Sequence, residues 1–131
     1  MNPLFADSFF YLALLNPADA AHEAAREISL GLHVPVITTA WVLAEVANTM
    51  AAQRRSFLLL YENLRNDKNV RGVPPTEESF TKGLAFYARH QDKEWSLTDC
   101  ISFLVMREYG ATEALTGDHH FEQAGFRALL K

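Results

Sequence analysis

Cysteine is nearly missing from this chain: among 131 residues, Cys100 is the only one. A lone thiol excludes an internal disulfide and any cysteine-rich zinc site. Long apolar runs are absent as well. No stretch approaches the roughly 20 residues that a membrane-spanning helix needs. The apolar run from Phe9 to Leu15 resembles a signal peptide only superficially, because no Lys or Arg precedes Arg26 and Asp7 stands where a positive region belongs. A cytoplasmic location with no membrane association is expected. Positive charge is scarce, with 12 Lys and Arg against 16 Asp and Glu and a formal net charge of −4. Overall electrostatics therefore do not announce a nucleic-acid binder. No Gly-rich loop carries a Lys, which excludes a Walker-type nucleotide site. Internal repeats, low-complexity segments and interdomain linkers are likewise missing.

What remains is the profile of a folded chain. Hydrophobic residues make up 49% and charged residues 21%, and the length suits one domain, residues 1–131, burying roughly two-thirds of its unfolded surface. Short apolar or β-branched runs alternate with helical patterns. Strands are expected at Pro3–Ala6, Val34–Thr38, Val70–Val73, Thr112–Thr116 and Phe126–Leu130. Helices are expected at Phe9–Leu15, Ala18–Leu30, Ala40 to about Gln53, Arg54–Leu64, Thr76 to about His90 and Ser96–Tyr109. Gly117–Phe121 reads as a loop. This alternation predicts an α/β fold, a three-layer α/β/α sandwich around a short, mostly parallel central sheet.

The sharpest feature is the helix that opens at Trp95-Ser96-Leu97-Thr98-Asp99-Cys100. Ser96 is a good N-cap, and Asp99, three residues later, can close a capping box. Asp99 also shares a helical face with Ser102, Phe103 and Met106, where an unpaired charge is costly. Two accounts are open: a first-turn acid satisfied by backbone amides, which the local sequence favours, or a carboxylate aimed into a cleft to hold a cation. Cys100, on the same apolar helix, reads as packing rather than as a nucleophile.

Three further acids bear on the choice. Asp7 and Asp118 follow directly on predicted strands, and Glu45 lies in the early part of a helix. In parallel sheets ligands bind outside the carboxyl ends of the strands, so Asp7, Glu45, Asp99 and Asp118 are expected to converge on one edge. Singly each has a plain explanation: Asp7 as a helix cap, Glu45 on an exposed strip with Trp41, Asn48 and Thr49, Asp118 as a turn residue. Together they demand more. Carboxylates about 4 Å apart repel by about 4 kcal/mol per pair at an effective dielectric of 20, and a divalent cation would neutralise them. All-oxygen ligands with water suit Mg²⁺ or Mn²⁺, and the chemistry such ions support is phosphodiester hydrolysis. Ser8 and Thr116 are small hydroxyls beside two of the acids.

With these residues the chain resembles the PIN-domain ribonucleases, especially the VapC-like toxins of bacterial toxin–antitoxin pairs. The resemblance runs nearly end to end. It is carried by Ala6-Asp7-Ser8, by Glu45 within Ala40–Val46, by Trp95–Cys100 and by Leu115-Thr116-Gly117-Asp118-His119-His120-Phe121. It implies a PIN-type α/β/α fold, Mg²⁺ or Mn²⁺, and endonucleolytic cleavage of RNA, with Asp7, Glu45, Asp99 and Asp118 as the acidic set. Asp7 and Asp99 are expected as direct metal ligands, Glu45 and Asp118 as ligands directly or through water, and Ser8 and Thr116 as supporting hydroxyls. It further implies a small antitoxin partner and a homodimer, with Ala18–Leu30 or Phe57–Leu64 as the candidate face. In one departure, many relatives carry another acid just after the fourth, and here His119 and His120 stand in that region. His120 is read as facing the phosphate or, more simply, as capping the loop.

An RNA substrate also needs cations for its backbone. Lys93, near the Asp99 helix, is the first candidate, followed by Arg54 and Arg55. Rival readings are a phosphotransferase with an aspartyl nucleophile, disfavoured because Phe9 stands where a second acid at Asp-x-Asp spacing belongs, a housekeeping nuclease outside any toxin pair, and a silent module that only binds RNA or protein.

Overall fold

The computed structural model describes residues 2–131. Five parallel strands form one sheet in the order β3-β2-β1-β4-β5, comprising β1 Leu4–Ala6, β2 Val36–Thr39, β3 Val70–Val73, β4 Glu113–Leu115 and β5 Arg127–Ala128. The helices are α1 Ser8–Leu15, α2 His22–Leu30, α3 Ala40–Thr49, α4 Arg54–Asn66, α5 Glu77–Arg89, α6 Leu97–Tyr109 and α7 His119–Gln123. From β1 the chain steps through β2 to the β3 edge, then crosses to β4 and steps outward to β5. Right-handed crossovers therefore place α1 to α4 on one face and α5 to α7 on the other, which is the three-layer α/β/α sandwich expected. The step direction reverses between β1 and β4. That reversal opens a crevice at their carboxyl ends, and Asp7 and Asp118 follow those two strands.

The central strand β2 is buried along its length and stops where a cap begins. Thr39 ends β2 and its hydroxyl accepts the Val42 amide, so one residue closes a strand and starts α3. The core is built around α6, where the stretch from Asp99 to Met106 is buried except for Leu104. Aromatic side chains join it to its neighbours: Phe103 meets Phe121 of α7 edge-on at 5.0 Å and Trp95 at 5.1 Å. The Trp95 indole N–H also donates to Gln123 Oε1 at 3.0 Å, which ties the segment before α6 to α7.

Several boundaries differ from the sequence expectations, each for a local reason. The second helix begins at His22 rather than Ala18. Asn16 and Asp19 side chains accept the Ala18 and Ala21 amides, and these Asx turns hold an alanine-rich segment out of the helix. The third helix stops at Thr49 instead of running to about Gln53, since turns take over at Ala51 to Gln53. The expected loop at Gly117–Phe121 instead opens a short helix, α7, because the Asp118 side chain accepts the His120 amide as an N-cap. The final strand is only Arg127–Ala128. No helix among the described residues is long and apolar enough to cross a membrane.

Candidate functional site

Asp7 occupies the N-cap position of α1, yet its side chain makes no capping bond. Its Oδ2 instead accepts the Thr116 hydroxyl at 2.8 Å. Thr116 is fully buried at the end of β4, and its own oxygen accepts the Asp118 amide at 3.1 Å. One hydroxyl thus joins the acids that follow β1 and β4. Asp7 is only 5% exposed. Burial pushes its carboxyl up to about 7; the Thr116 hydroxyl and the Ser8 amide act against this, and the charges of Asp99 and Glu45 add to it. The next residue, Ser8, starts α1 and donates its hydroxyl to Glu45 Oε1 at 2.5 Å, drawing the α3 acid toward the same edge.

Asp99 is 8% exposed. Its Oδ2 accepts the Ser96 amide at 3.1 Å while its own amide donates to Ser96 Oγ at 3.0 Å, a complete capping box. Of the two accounts open for Asp99, the capping one is observed. The carboxylate that caps α6 is also the one that faces the edge, where His120 Nδ1 lies 3.3 Å from the same Oδ2. Burial raises the Asp99 pKa, with the charges of Asp118 and Glu45 adding to the rise and the Ser96 amide and His120 opposing it.

Asp118 is half-buried at the head of α7. His120 Nδ1 stands 3.4 Å and His119 Nδ1 3.7 Å from its Oδ1. The simpler expectation for His120, a loop cap, does not hold. Its ring sits in the first turn of α7 between Asp99 and Asp118, because the N-cap at Asp118 turns the chain there into helix. The Asp-His-His run was visible in the sequence, but nothing local indicated that it lies on a helix aimed at Asp99.

The four acids share the edge without forming one tight carboxylate shell. Hydroxyls and an imidazole separate them, as repulsion between bare carboxylates requires. Among the described residues the donor atoms that converge within 4.8 Å are those of Asp118, His119 and His120. No Lys or Arg among the described residues forms an ion pair with any of the four acids. Buried acids of one sign with only imidazole beside them fit a divalent cation. The expected basic residues are not gathered in: Lys93 pairs with Asp92 at 3.1 Å, Arg54 Nε donates to the Ala51 carbonyl, and Arg55 is exposed on α4. Cys100 is fully buried, and burial pushes its thiol up to about 11, so it packs. An apolar groove bounded by α3, α4 and β3, with Leu43, Ala47, Phe57 and Tyr61 along it, contains none of the four acids.

Known proteins resemble this chain in sequence and in fold. The 23S rRNA-specific endonuclease VapC20 of Mycobacterium tuberculosis is 30% identical over 126 residues, covering 94% of this chain and 95% of the relative. The crystal structure of VapC20, described as a Sarcin-Ricin loop cleaving toxin, superposes with a TM-score of 0.85 at 29% identity, over 94% of this chain and 95% of that one. The crystal structure of FitAcB from Neisseria gonorrhoeae shares the fold, with a TM-score of 0.63 at 17% identity over 95% and 94% of the two chains. No protein-family model matches the sequence.

Proposed function

The chain belongs to the VapC family of PIN-domain endoribonucleases, and from that membership we propose that it cleaves RNA by metal-dependent hydrolysis at the edge formed by Asp7, Glu45, Asp99 and Asp118. One observation carries the reading: Asp7 is buried at the reversal point of the sheet, beside Asp99 and Glu45, and no Lys or Arg among the described residues pairs with it. Asp7 and Asp99 hold Mg²⁺ or Mn²⁺ directly, and Glu45 and Asp118 hold it directly or through water. A bound divalent cation supplies a water of lowered pKa and steadies charge on the phosphate. The chain's own groups do the positioning. Thr116 fixes the Asp7 carboxylate and the Asp118 backbone, Ser8 fixes Glu45, and the Ser96 amide fixes Asp99. Lys93, Arg54 and Arg55 meet the RNA backbone from outside this edge.

In the cell the protein acts as the toxin of a type II toxin–antitoxin pair and is held inactive by a small antitoxin protein. It works as a homodimer, for which the exposed Leu58, Leu59 and Tyr61 of α4 offer an apolar face. Structured RNA is the substrate class, and 23S rRNA is the first to test because VapC20 is specific for it. Purified protein incubated with such RNA should cleave it with Mg²⁺ or Mn²⁺ and fail to do so with EDTA. Asp99→Asn should lower cleavage by about 100-fold or more. Cleavage indifferent to both chelation and the substitution would refute the proposal. Expression should arrest growth, and co-expression of a neighbouring gene should relieve the arrest. A protein that cleaves RNA but is harmless is a housekeeping nuclease instead.

A further inference from the structure

His119 and His120 stand where an acid is expected by resemblance, and the proposed carboxylate chemistry makes no use of them. His120 Nδ1 lies 3.4 Å and His119 Nδ1 3.7 Å from the same oxygen, Asp118 Oδ1. Neither separation is that of a charge-assisted hydrogen bond, which closes to about 2.7–2.9 Å. A protonated Nδ1 carries one N–H, whereas His120 Nδ1 faces two carboxylate oxygens at nearly equal range, Asp99 Oδ2 at 3.3 Å and Asp118 Oδ1 at 3.4 Å. One N–H cannot serve both oxygens at once, although each also accepts a backbone amide, Asp99 Oδ2 from Ser96 and Asp118 Oδ1 from His120. The two His120 separations suit atoms that share a cation, and exposed His119, at 3.7 Å, has to close by a few tenths of an ångström to join them. Donors held at 2.0–2.1 Å around one ion stand about 2.9 Å apart in an octahedron and about 3.4 Å apart in a tetrahedron.

The donor set also has a definite chemical preference. Asp118, His119 and His120 each contribute one atom, and these atoms lie within 4.8 Å of one another. Two imidazoles and a carboxylate favour first-row transition ions, whereas Mg²⁺ prefers oxygen donors and water. The two rings lie 4.4 Å apart at adjacent positions of one helical turn, and the exposed His119 is free to close on the ion while His120 is held in place beside buried Asp99.

We propose that Asp118, His119 and His120 form a nitrogen-containing cation site at this edge, which takes a first-row transition-metal ion such as Mn²⁺ or Zn²⁺ in preference to Mg²⁺. The inference deepens the reading of the edge as a metal centre and rests on it, because Asp118 belongs to both. It means that the bound ion is chosen by imidazole rather than by carboxylates alone.

The test is direct observation of nitrogen at the bound ion. Pulsed EPR of the intact protein loaded with substoichiometric Mn²⁺ should show ¹⁴N modulation from directly coordinated imidazole. Titration should give a Kd for Mn²⁺ about tenfold or more below that for Mg²⁺, with Zn²⁺ competing for the same site. In His119→Ala/His120→Ala the ¹⁴N modulation should vanish and the preference for Mn²⁺ should fall by about tenfold or more. His120→Asp combined with His119→Ala restores an oxygen donor, and should bind Mn²⁺ without ¹⁴N modulation should the double alanine variant not fold. Mn²⁺ bound by the wild type without ¹⁴N modulation, or modulation that survives loss of both rings, overturns the site. If that spectrum fails while RNA is still cleaved in a metal-dependent way, the site alone is wrong. If nitrogen coordination is seen and RNA is never cleaved, the nuclease reading is wrong and the site stands.

Discussion

Asp7→Asn should make the metal-free protein more stable at neutral and higher pH while abolishing its activity. Asp7 is 5% exposed, and its carboxyl is pushed from 3.8 to about 7, chiefly by burial. At about 1.36 kcal/mol per pH unit, this rise makes ionisation of Asp7 cost the metal-free fold on the order of 4 kcal/mol. A group whose folded pKa is raised contributes stability that is complete below its unfolded value, near 3.8, and is lost as pH rises through about 7. The metal-free wild type should therefore weaken from about pH 4 to about pH 7. Asp99, also raised, contributes to that slope in both proteins, so the informative quantity is their difference. Asn keeps an acceptor for the Thr116 hydroxyl and has no charge to bury. At about pH 8 the variant should be the more stable by about 1–4 kcal/mol, the lower end allowing for relaxation around a buried charge. Equilibrium urea unfolding in EDTA at several pH values measures this directly. Added Mn²⁺ should narrow the gap by stabilising the wild type alone. A wild type no weaker than the variant at every pH would refute the view of Asp7 as a buried carboxylate awaiting a cation.

Three other substitutions probe the scaffold around the site. Thr116→Val removes the hydroxyl that joins Asp7 to the Asp118 amide; Mn²⁺ affinity measured by titration calorimetry should fall by about 10–100-fold. Gly83→Ala places a Cβ against Ile101 Cγ1 where α5 packs on α6, and urea unfolding should show a loss of about 1–3 kcal/mol. Trp95→Phe deletes the hydrogen bond to Gln123 while keeping an aromatic ring. It should cost about 1 kcal/mol by thermal unfolding and weaken the hold of the segment before Asp99 on α7.

Legibility in the sequence followed the range of the forces involved. The capping box at Ser96 and Asp99 spans three residues, and it reads correctly because both partners and the helix they start are local. The alternation of strands and helices likewise identified the layered fold, since periodicity records which face each segment buries. Where a side chain overrides the backbone pattern, the reading slipped. The Asx turns at Asn16 and Asp19 delayed α2, and the Asp118 cap turned a loop into α7. These are single hydrogen bonds, and composition carries no sign of whether they form.

The four acids divide in the same way. Their residue types and their places after strands or in the early turns of helices are properties of the chain, as is the family resemblance they carry. The sequence by itself therefore determined the class of fold and which carboxylates to watch. Only the tertiary structure decided what each carboxylate does. The reversal between β1 and β4 puts Asp7 and Asp118 on one edge, and the Thr116 hydroxyl reaches Asp7 across 109 positions of sequence. Packing of α6 against α7 sets His120 between Asp99 and Asp118, so that one Asp99 oxygen both caps its helix and faces the site. Burial then raises Asp7, an effect of surrounding atoms that are remote in the chain. Desolvation and cation binding depend on which groups surround a charge in space, and only the folded chain specifies that.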